Sequence, residues 1–481
     1  MIDDLLVILP LIIVVVWACG LLIGDLFIPA VRKSLTALLA AIGLGVALVA
    51  SLLQVGEEAE AFGGMVAVDG FSTFLTVILL LTGLGGIALS LDYLKRNEIE
   101  RGEFYVLLLF SVSGMMLMTM AADLIVVFLA LEWLSIPLYV MAGFALPRSD
   151  SEEAAMKYFL LGAFASGFLV FGVALVFGAT ASTSLAGISE AIEAGAADLG
   201  LLAVGAGLFL VGLGFKVAAV PFHMWTPDVY VGAPTSVTGF MAVGAKVAGF
   251  AALLRVFVMA FPPLAEDLTP VLWVLAALTL MLGNIVAIAQ RNIKRMLAYS
   301  SIAHAGYILM AIVPYGEDGL AGESVASALF YLLGYAVTSF GVWAVVISLE
   351  RSEGRGLSLD DYAGLGKKYP LHALAMAIFM LSFTGVPPTI GFVAKFYVFS
   401  VVVQAGFIGL ALIGVITSVV SAYYYLRVVM LMYMRDGEPE VHHERWLNGT
   451  TAAAAIFTVL LILFSATLFS WAVEAAQGML S

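Results

Sequence analysis

Glu132, Lys216, Lys246 and Lys395 stand inside long apolar segments of this 481-residue chain. A charged side chain at the centre of a bilayer costs ~2.5–3.5 kcal/mol on insertion scales, so four of them demand a polar interior and partners. An amine shut away from water holds its proton less firmly, and a neighbouring carboxylate restores the hold. Such a lysine can load and release a proton with no covalent chemistry, and Glu132 is the candidate counter-charge for Lys216. Purely structural ion pairing is the bland alternative for the four together. Lys157 and His304 divide evenly between a relay and a satisfied polar core group, and His223 between an extension of the polar path toward the cytoplasm and repair of a helix end. Arg255 and Arg427 are read as snorkelling or paired, and His442 and His443 as solvated loop residues rather than metal ligands.

The segments that must position these groups dominate the composition, which is 63% hydrophobic and only 11% charged. Stretches of about 20 apolar residues recur from end to end, each able to cross a ~30 Å hydrocarbon layer. We read an all-α polytopic membrane protein with about 14 spans, near 5–26, 34–54, 70–94, 103–121, 123–145, 152–180, 199–230, 235–261, 268–290, 294–313, 323–350, 370–402, 406–434 and 447–473. The basic residues test that reading. Fifteen of the 21 lie at alternate connections: Arg32, Lys33, Lys95, Arg96, Arg101, Arg148, Arg291, Lys294, Arg295, Arg351, Arg355, Lys367, Lys368, Arg435 and Arg445. The opposite connections carry none, and the other six lie within spans. Basic loops stay on the cytoplasmic side, so both termini are expected to face outward, with Glu57, Glu58, Glu60, Glu190 and Glu193. The connection between the seventh and eighth spans has no basic residue, and its side follows from the count alone.

The formal charge of −13 therefore reflects acidic outer connections and helix ends, and argues against a nucleic-acid partner. The single cysteine, Cys19, supports neither a disulfide nor a Cys-rich zinc or iron–sulfur site, so a redox centre is expected elsewhere. Met1, Ile2, Asp3 and Asp4 offer no basic leader, which disfavours a signal peptide and keeps the first span as an anchor. The longest polar stretches, near 55–69, 181–198, 351–369 and 435–446, leave no room for a soluble domain. In 182–200, Leu185, Ile188 and Ile192 face away from Glu190, Glu193 and Asp198, as in a short helix along the membrane surface or an ordinary connector. Glycines such as Gly20, Gly24, Gly212 and Gly214, and the GLGG of 83–86, are assigned to close helix packing rather than to a nucleotide loop.

Prolines mark the same neighbourhoods as the buried charges. Pro137 and Pro221 each lie five residues after an ionisable group, Glu132 and Lys216, and free the carbonyls of Trp133 and Val217. Pro387 and Pro388 stand in TGVPPTIGFVAK ahead of Lys395. Interrupted helices at membrane depth survive only where protein or water satisfies the freed backbone, the arrangement by which transporters line ion paths. The order of spans divides the chain into 1–102, a three-helix segment; 103–262, a five-helix unit; 263–436, a second, inverted five-helix unit; and 437–481, a C-terminal helix. Each unit places a broken helix fourth, carrying Lys216 and Lys395.

LEWLSIPLYVMAGF (131–144), EAAMKYFLLGAFASG (153–167), GFKVAAVPFHMWTPDVYVGAPTSVTGFMAVGAKVAGF (214–250), RNIKRMLAYSSIAHAGYILM (291–310) and FTGVPPTIGFVAKF (383–396) resemble the antiporter-like membrane subunits of complex I. The likeness covers about 70–436. Lys395, where one member type usually has glutamate, and a chain that ends soon after its fourteenth span, without the lateral helix of another type, point to the remaining type. The resemblance implies two inverted five-helix bundles and proton movement across the cell (inner) membrane. It implies roles for Glu132 as modulating carboxylate, Lys216 as its paired carrier, Lys246 as connecting relay, Lys395 as the exit-side lysine, and His304 as part of the axis between half-channels. It also implies an oxidoreductase in which NADH, FMN, iron–sulfur clusters and quinone belong to partner subunits: other membrane subunits and, through them, a peripheral redox arm. A subunit of a multisubunit Na⁺/H⁺ antiporter, or of a related hydrogenase or donor:quinone complex, shares these motifs, and a membrane scaffold is a third reading. A lysine cannot coordinate Na⁺ while protonated, which favours H⁺.

Overall fold

Apolar length alone dictates most of the architecture. The computed structural model describes residues 2–351 and 356–480, so Met1 and Arg355 lie outside the described residues. The helices are α1 (Ile2–Val7), α2 (Leu9–Gly24), α3 (Ser34–Leu53), α4 (Gly70–Arg96), α5 (Glu103–Met120), α6 (Leu124–Ala142), α7 (Ser149–Thr180), α8 (Leu185–Glu193), α9 (Leu199–Val217), α10 (Trp225–Gly232), α11 (Thr235–Ala260), α12 (Ala265–Ile288), α13 (Ile293–Ile312), α14 (Ala321–Leu349), α15 (Leu365–Lys368), α16 (Pro370–Thr384), α17 (Ile390–Gln404), α18 (Ile408–Met434), α19 (Arg445–Leu460) and α20 (Ser465–Leu480). Among the described residues, thirteen helical segments are long and apolar enough to cross a membrane, and the shorter apolar α16 and α17 together correspond to the remaining expected span. The last span, Arg445–Leu480, outruns the expected 447–473 because a 3₁₀ turn at Leu461–Phe464 joins α19 to α20 without ending the helical path.

Among the described residues the fold is all-α apart from one hairpin, β1 (Ala59–Ala61) and β2 (Val66–Val68), within the polar stretch expected as a connection. The strands pair antiparallel, Ala59 with Val68 and Ala61 with Val66. Gly63 and Gly64 turn the chain at φ +69° and +86°, a region open to glycine at little cost.

The connections sort onto two faces. On one, the hairpin meets the α5–α6 connection through Ala122 N–H to Met65 O, and the start of α6 meets the α7–α8 connection through Leu124 N–H to Thr183 O, both backbone bonds. Phe62 N–H donates to Asp4 at 3.2 Å, and a Cβ on Gly70 would meet the backbone of Ala475 at 2.9 Å, so both chain ends lie on this acidic face. On the other face Arg96 binds Glu444 at 2.6 Å, Lys367 binds Asp436 and Lys368 binds Glu438. Lys368 is raised above the ordinary ammonium value, first by its hydrogen bond with Glu438, and the Lys367 hydrogen bond lowers the Asp436 carboxyl. The connection that lacked a basic residue borrows two: Lys294 donates to Ala233 O at 2.8 Å and Arg295 to Asp228 at 2.5 Å. Its side thus follows from contacts as well as from the count.

α11 is buried along nearly its whole length, and α13 and α14 are almost as enclosed, so these three helices form the spine. Arg255 near the end of α11 is paired, not snorkelling: it binds Asp69 at 2.9 Å and Thr119 O at 3.0 Å, and stacks over Phe71. Asp69 caps α4 in a capping box with Ser72. Arg427 donates to Ile288 O and Gln290 O, two carbonyls at the end of α12. α8 buries Leu185 and Ile188 and exposes Glu190 and Glu193, the amphipathic surface helix expected of 182–200. The GLGG glycines face Leu44, Phe340 and Phe240 at Cβ distances of 2.8–2.9 Å, so they serve helix approach.

Candidate functional site: a file of buried lysines

α9 stops at Val217 because Ala218 adopts the left-handed conformation and Pro221 follows, removing an N–H and excluding a helical residue before it. The chain resumes as α10 at Trp225. Lys216 therefore sits in the last turn before a break, its stem packed beside Gly249 of α11. Its Nζ donates to Ser135 Oγ at 2.8 Å and to Tyr158 OH at 3.3 Å. Glu132 is half-buried and accepts from Ser166 Oγ of α7. Ser135 Oγ itself donates to Leu131 O, so Glu132 and Lys216 share neither a direct bond nor a common hydrogen-bond partner among the described residues. α6 itself runs unbroken through Pro137.

The next amine takes up the backbone that this break exposes. Lys246 Nζ donates to Val217 O, the carbonyl whose helical partner Pro221 deletes, at 3.4 Å, and to Ser301 O of α13 at 2.8 Å. Ser301 Oγ meets Tyr335 OH at 2.9 Å, and the Lys246 ammonium lies 5.7 Å from the Tyr335 ring centroid. Three residues along α13, His304 Nδ1 bonds Tyr331 OH at 2.7 Å and Nε2 bonds Tyr425 OH at 3.1 Å, while Tyr425 OH reaches Ser300 Oγ at 2.5 Å.

The second break repeats the device. α16 ends at Gly385 with φ +88°, and Pro387 and Pro388 delay α17 until Ile390. Lys395 Nζ donates to the freed Thr384 O at 2.9 Å and to Ser418 Oγ at 2.8 Å, and sits 4.6 Å from the Tyr307 ring centroid. A cavity of about 10 Å³ between His304 and Lys395, lined also by Thr338 and Ser382, is on the scale of one water. Gly385→Ala is expected to strain this point: the new Cβ would meet Lys395 Cδ at 2.8 Å in a left-handed conformation costing about 1–2 kcal/mol. Slower proton translocation with normal assembly is the expected readout, and wild-type pumping would refute it.

The hydrogen-bond partners of Lys216, Lys246 and Lys395 among the described residues are hydroxyls and carbonyls, all neutral. Hydroxyl groups and imidazole both donate and accept, so the serines and tyrosines beside Lys216, His304 and Lys395 are of a kind that can hand on a proton. Lys157 stands outside it, 40% exposed near the basic face and bound to Asp228 and Glu153 at 2.7 Å each. His223 lies in the break itself, its carbonyl accepting from Thr226 N–H and its Nδ1 buried with no hydrogen-bond partner among the described residues. No group of three or more His, Cys, Asp or Glu suited to a metal occurs among the described residues. Sequence reasoning passed over Ser135, Tyr158, Ser301, Tyr331, Tyr335 and Ser418. The signal was a run of small hydroxyls and tyrosines at helical spacing, as in Ser300, Ser301, His304 and Tyr307.

Two discontinuous helices offering lysines to a common polar axis define a proton-carrying membrane subunit of antiporter-like design, and the family comparison agrees. Residues 121–421 match the family described as NADH:quinone oxidoreductase/Mrp antiporter, transmembrane, and the chain belongs to it. Within it, the chain is 49% identical over 473 residues to the NADH-quinone oxidoreductase subunit N of Chloroflexus aggregans, covering 97% of this chain and 96% of that one. A chain of respiratory complex I from Thermus thermophilus, solved with bound aureothin, superposes with a TM-score of 0.83 at 38% identity, over 96% of this chain and 98% of that chain. A chain of the Mrp complex from Dietzia sp. DQ12-45-1b gives a TM-score of 0.86 at 21% identity, over 100% and 98%, and shares the fold.

Proposed function

We propose that this chain is a proton-translocating membrane subunit of an NADH-quinone oxidoreductase. Quinone reduction in partner subunits drives protons along Lys216, Lys246, His304 and Lys395, with Glu132 as the modulating carboxylate. The observation that carries the reading is the file of buried amines whose partners are all neutral. A scaffold has no use for buried amines left without counter-charges, because burying an unpaired charge is expensive. The units 103–262 and 263–436 act as half-channels of opposite orientation, each built on one broken helix. Lys157 and His223 flank the inner entrance rather than the central file. The basic face lies in the cytoplasm and both termini outside the cell (inner) membrane. NADH, FMN, iron–sulfur clusters and quinone reside in the partner subunits, reached through neighbouring membrane subunits and a peripheral arm.

The test is purification through a tag on this chain, with iron–sulfur spectra and inhibitor-sensitive NADH:quinone activity followed in the same fraction. Reconstituted into liposomes, the complex is expected to acidify the lumen, and Lys216→Ala to remove most of that flux. Exchanger-type partners with salt-dependent proton flux and no NADH oxidation would assign the chain to an antiporter instead.

A further inference from the structure

A second polar cluster lies where α7, α10 and α13 meet at the basic face. Asp228 of α10 accepts on both carboxylate oxygens, from Lys157 of α7 at 2.7 Å and from Arg295 of α13 at 2.5 Å. Lys157 also binds Glu153. Asp150, Glu153, Lys157, Asp228, Gly232 and Arg295 line a cavity of about 190 Å³, room for about six waters at ~30 Å³ each.

The same two helices hold the partner of Lys216. Tyr158 follows Lys157 in α7, and its hydroxyl accepts from Lys216 Nζ. Trp225, one turn before Asp228 in α10, stacks on Tyr158 with ring centroids 4.6 Å apart and planes 9° off parallel. Its indole N–H donates to Phe215 O at 2.9 Å, on the turn that carries Lys216. α10 has eight residues between the break and the Pro234 turn, too few to hold a helix by its own propensity. Its place is set by what grips it, and Asp228 is gripped from both sides.

We propose that Asp228 is a positioning residue for proton transfer at Lys216: with Lys157 and Arg295 it seats α10 so that Trp225 holds the Tyr158 hydroxyl against the amine. This rests on the proton-carrying reading above. It gives Lys157 the task of holding a carboxylate and brings in Arg295, Trp225 and Tyr158. The three charged side chains are 35–42% exposed, and ion pairs of that exposure contribute little to global stability, so they can orient α10 locally without holding the fold together. A purely structural role therefore predicts that neutralising Asp228 leaves pumping unchanged.

The experiment uses the intact complex in liposomes, with protons moved per electron measured beside NADH:quinone turnover. Asp228→Asn is expected to assemble, to keep quinone reduction when uncoupled, and to lower the proton-to-electron ratio by about three-fold or more. Asp228→Glu should recover most of the ratio. In a Tyr158→Phe background the Asp228→Asn effect should vanish, because both changes act on one contact. Wild-type pumping by Asp228→Asn, or a loss that simply adds to that of Tyr158→Phe, overturns the proposal. If Asp228→Asn does not assemble, Arg295→Gln removes one of the two grips and carries the same test with the same expected direction. Lys216→Ala separates the two levels. If it abolishes pumping while Asp228→Asn does not, this proposal alone fails; if it pumps normally, the carrier reading fails and takes this proposal with it.

Discussion

Lys246→Arg in the assembled complex is expected to leave the protein folded and its proton flux at no more than about a tenth of normal, because a guanidinium cannot give up its proton. Lys246 joins the two halves of the file, with Val217 O on one side and Ser301 O on the other. Arginine can keep hydrogen bonds to both carbonyls, so a loss of flux cannot be blamed on an unpaired backbone. Lys246→Ala should give the same flux defect with a larger structural cost, about 1–3 kcal/mol for each carbonyl left without a donor. The pair of variants separates carrying from propping. Flux that survives Lys246→Arg but falls in Lys246→Ala would mean the side chain only props, and the proton route would have to bypass it.

The second large effect lies far from the file. Arg255→Met should destabilise the protein by about 3–5 kcal/mol, since it leaves a buried carboxylate without its cation. Asp69 would keep its bond from the Ser72 N–H at 2.7 Å but lose the guanidinium that ties the start of α4 to the end of α11. Thr119 O would lose its donor as well. Replacing both partners, Asp69→Asn with Arg255→Met, should recover most of the loss, because paired removal strands no charge. Thermal unfolding of the purified complex, followed through loss of this chain from the assembly, is the measurement. A single variant as stable as the double would show that Asp69 finds another partner.

The sequence carried the spans well because each is a hydrocarbon-length run, and the basic residues sort onto alternate connections. It also placed the breaks, since Pro221, Pro387 and Pro388 act on the backbone locally. It did not show the short hairpin at 59–68, whose three-residue strands have no period long enough to read. Nor could it show that Glu132 bonds Ser166 while Lys216 bonds Ser135 and Tyr158, or that Lys157 turns toward Asp228. Those depend on which helix faces which, and adjacent residues 157 and 158 point to different neighbours by helical geometry alone. Arg255 was legible as snorkelling or paired but its partner was not, because Asp69 lies 186 positions away.

At each break, an amine rests on a main-chain oxygen: Lys246 on Val217, Lys395 on Thr384. A peptide oxygen is a ligand that neither titrates nor departs, so these two stations have the same immediate surroundings whether full or empty. If they carry protons as proposed, a field can empty them: an elementary charge moved 10 Å away supplies about 1.7 kcal/mol at an effective dielectric of 20, somewhat more than a tenfold change in occupancy. On the proposed proton-carrying reading, the stations would then couple like a row of capacitors, each responding to the charge state of the one before.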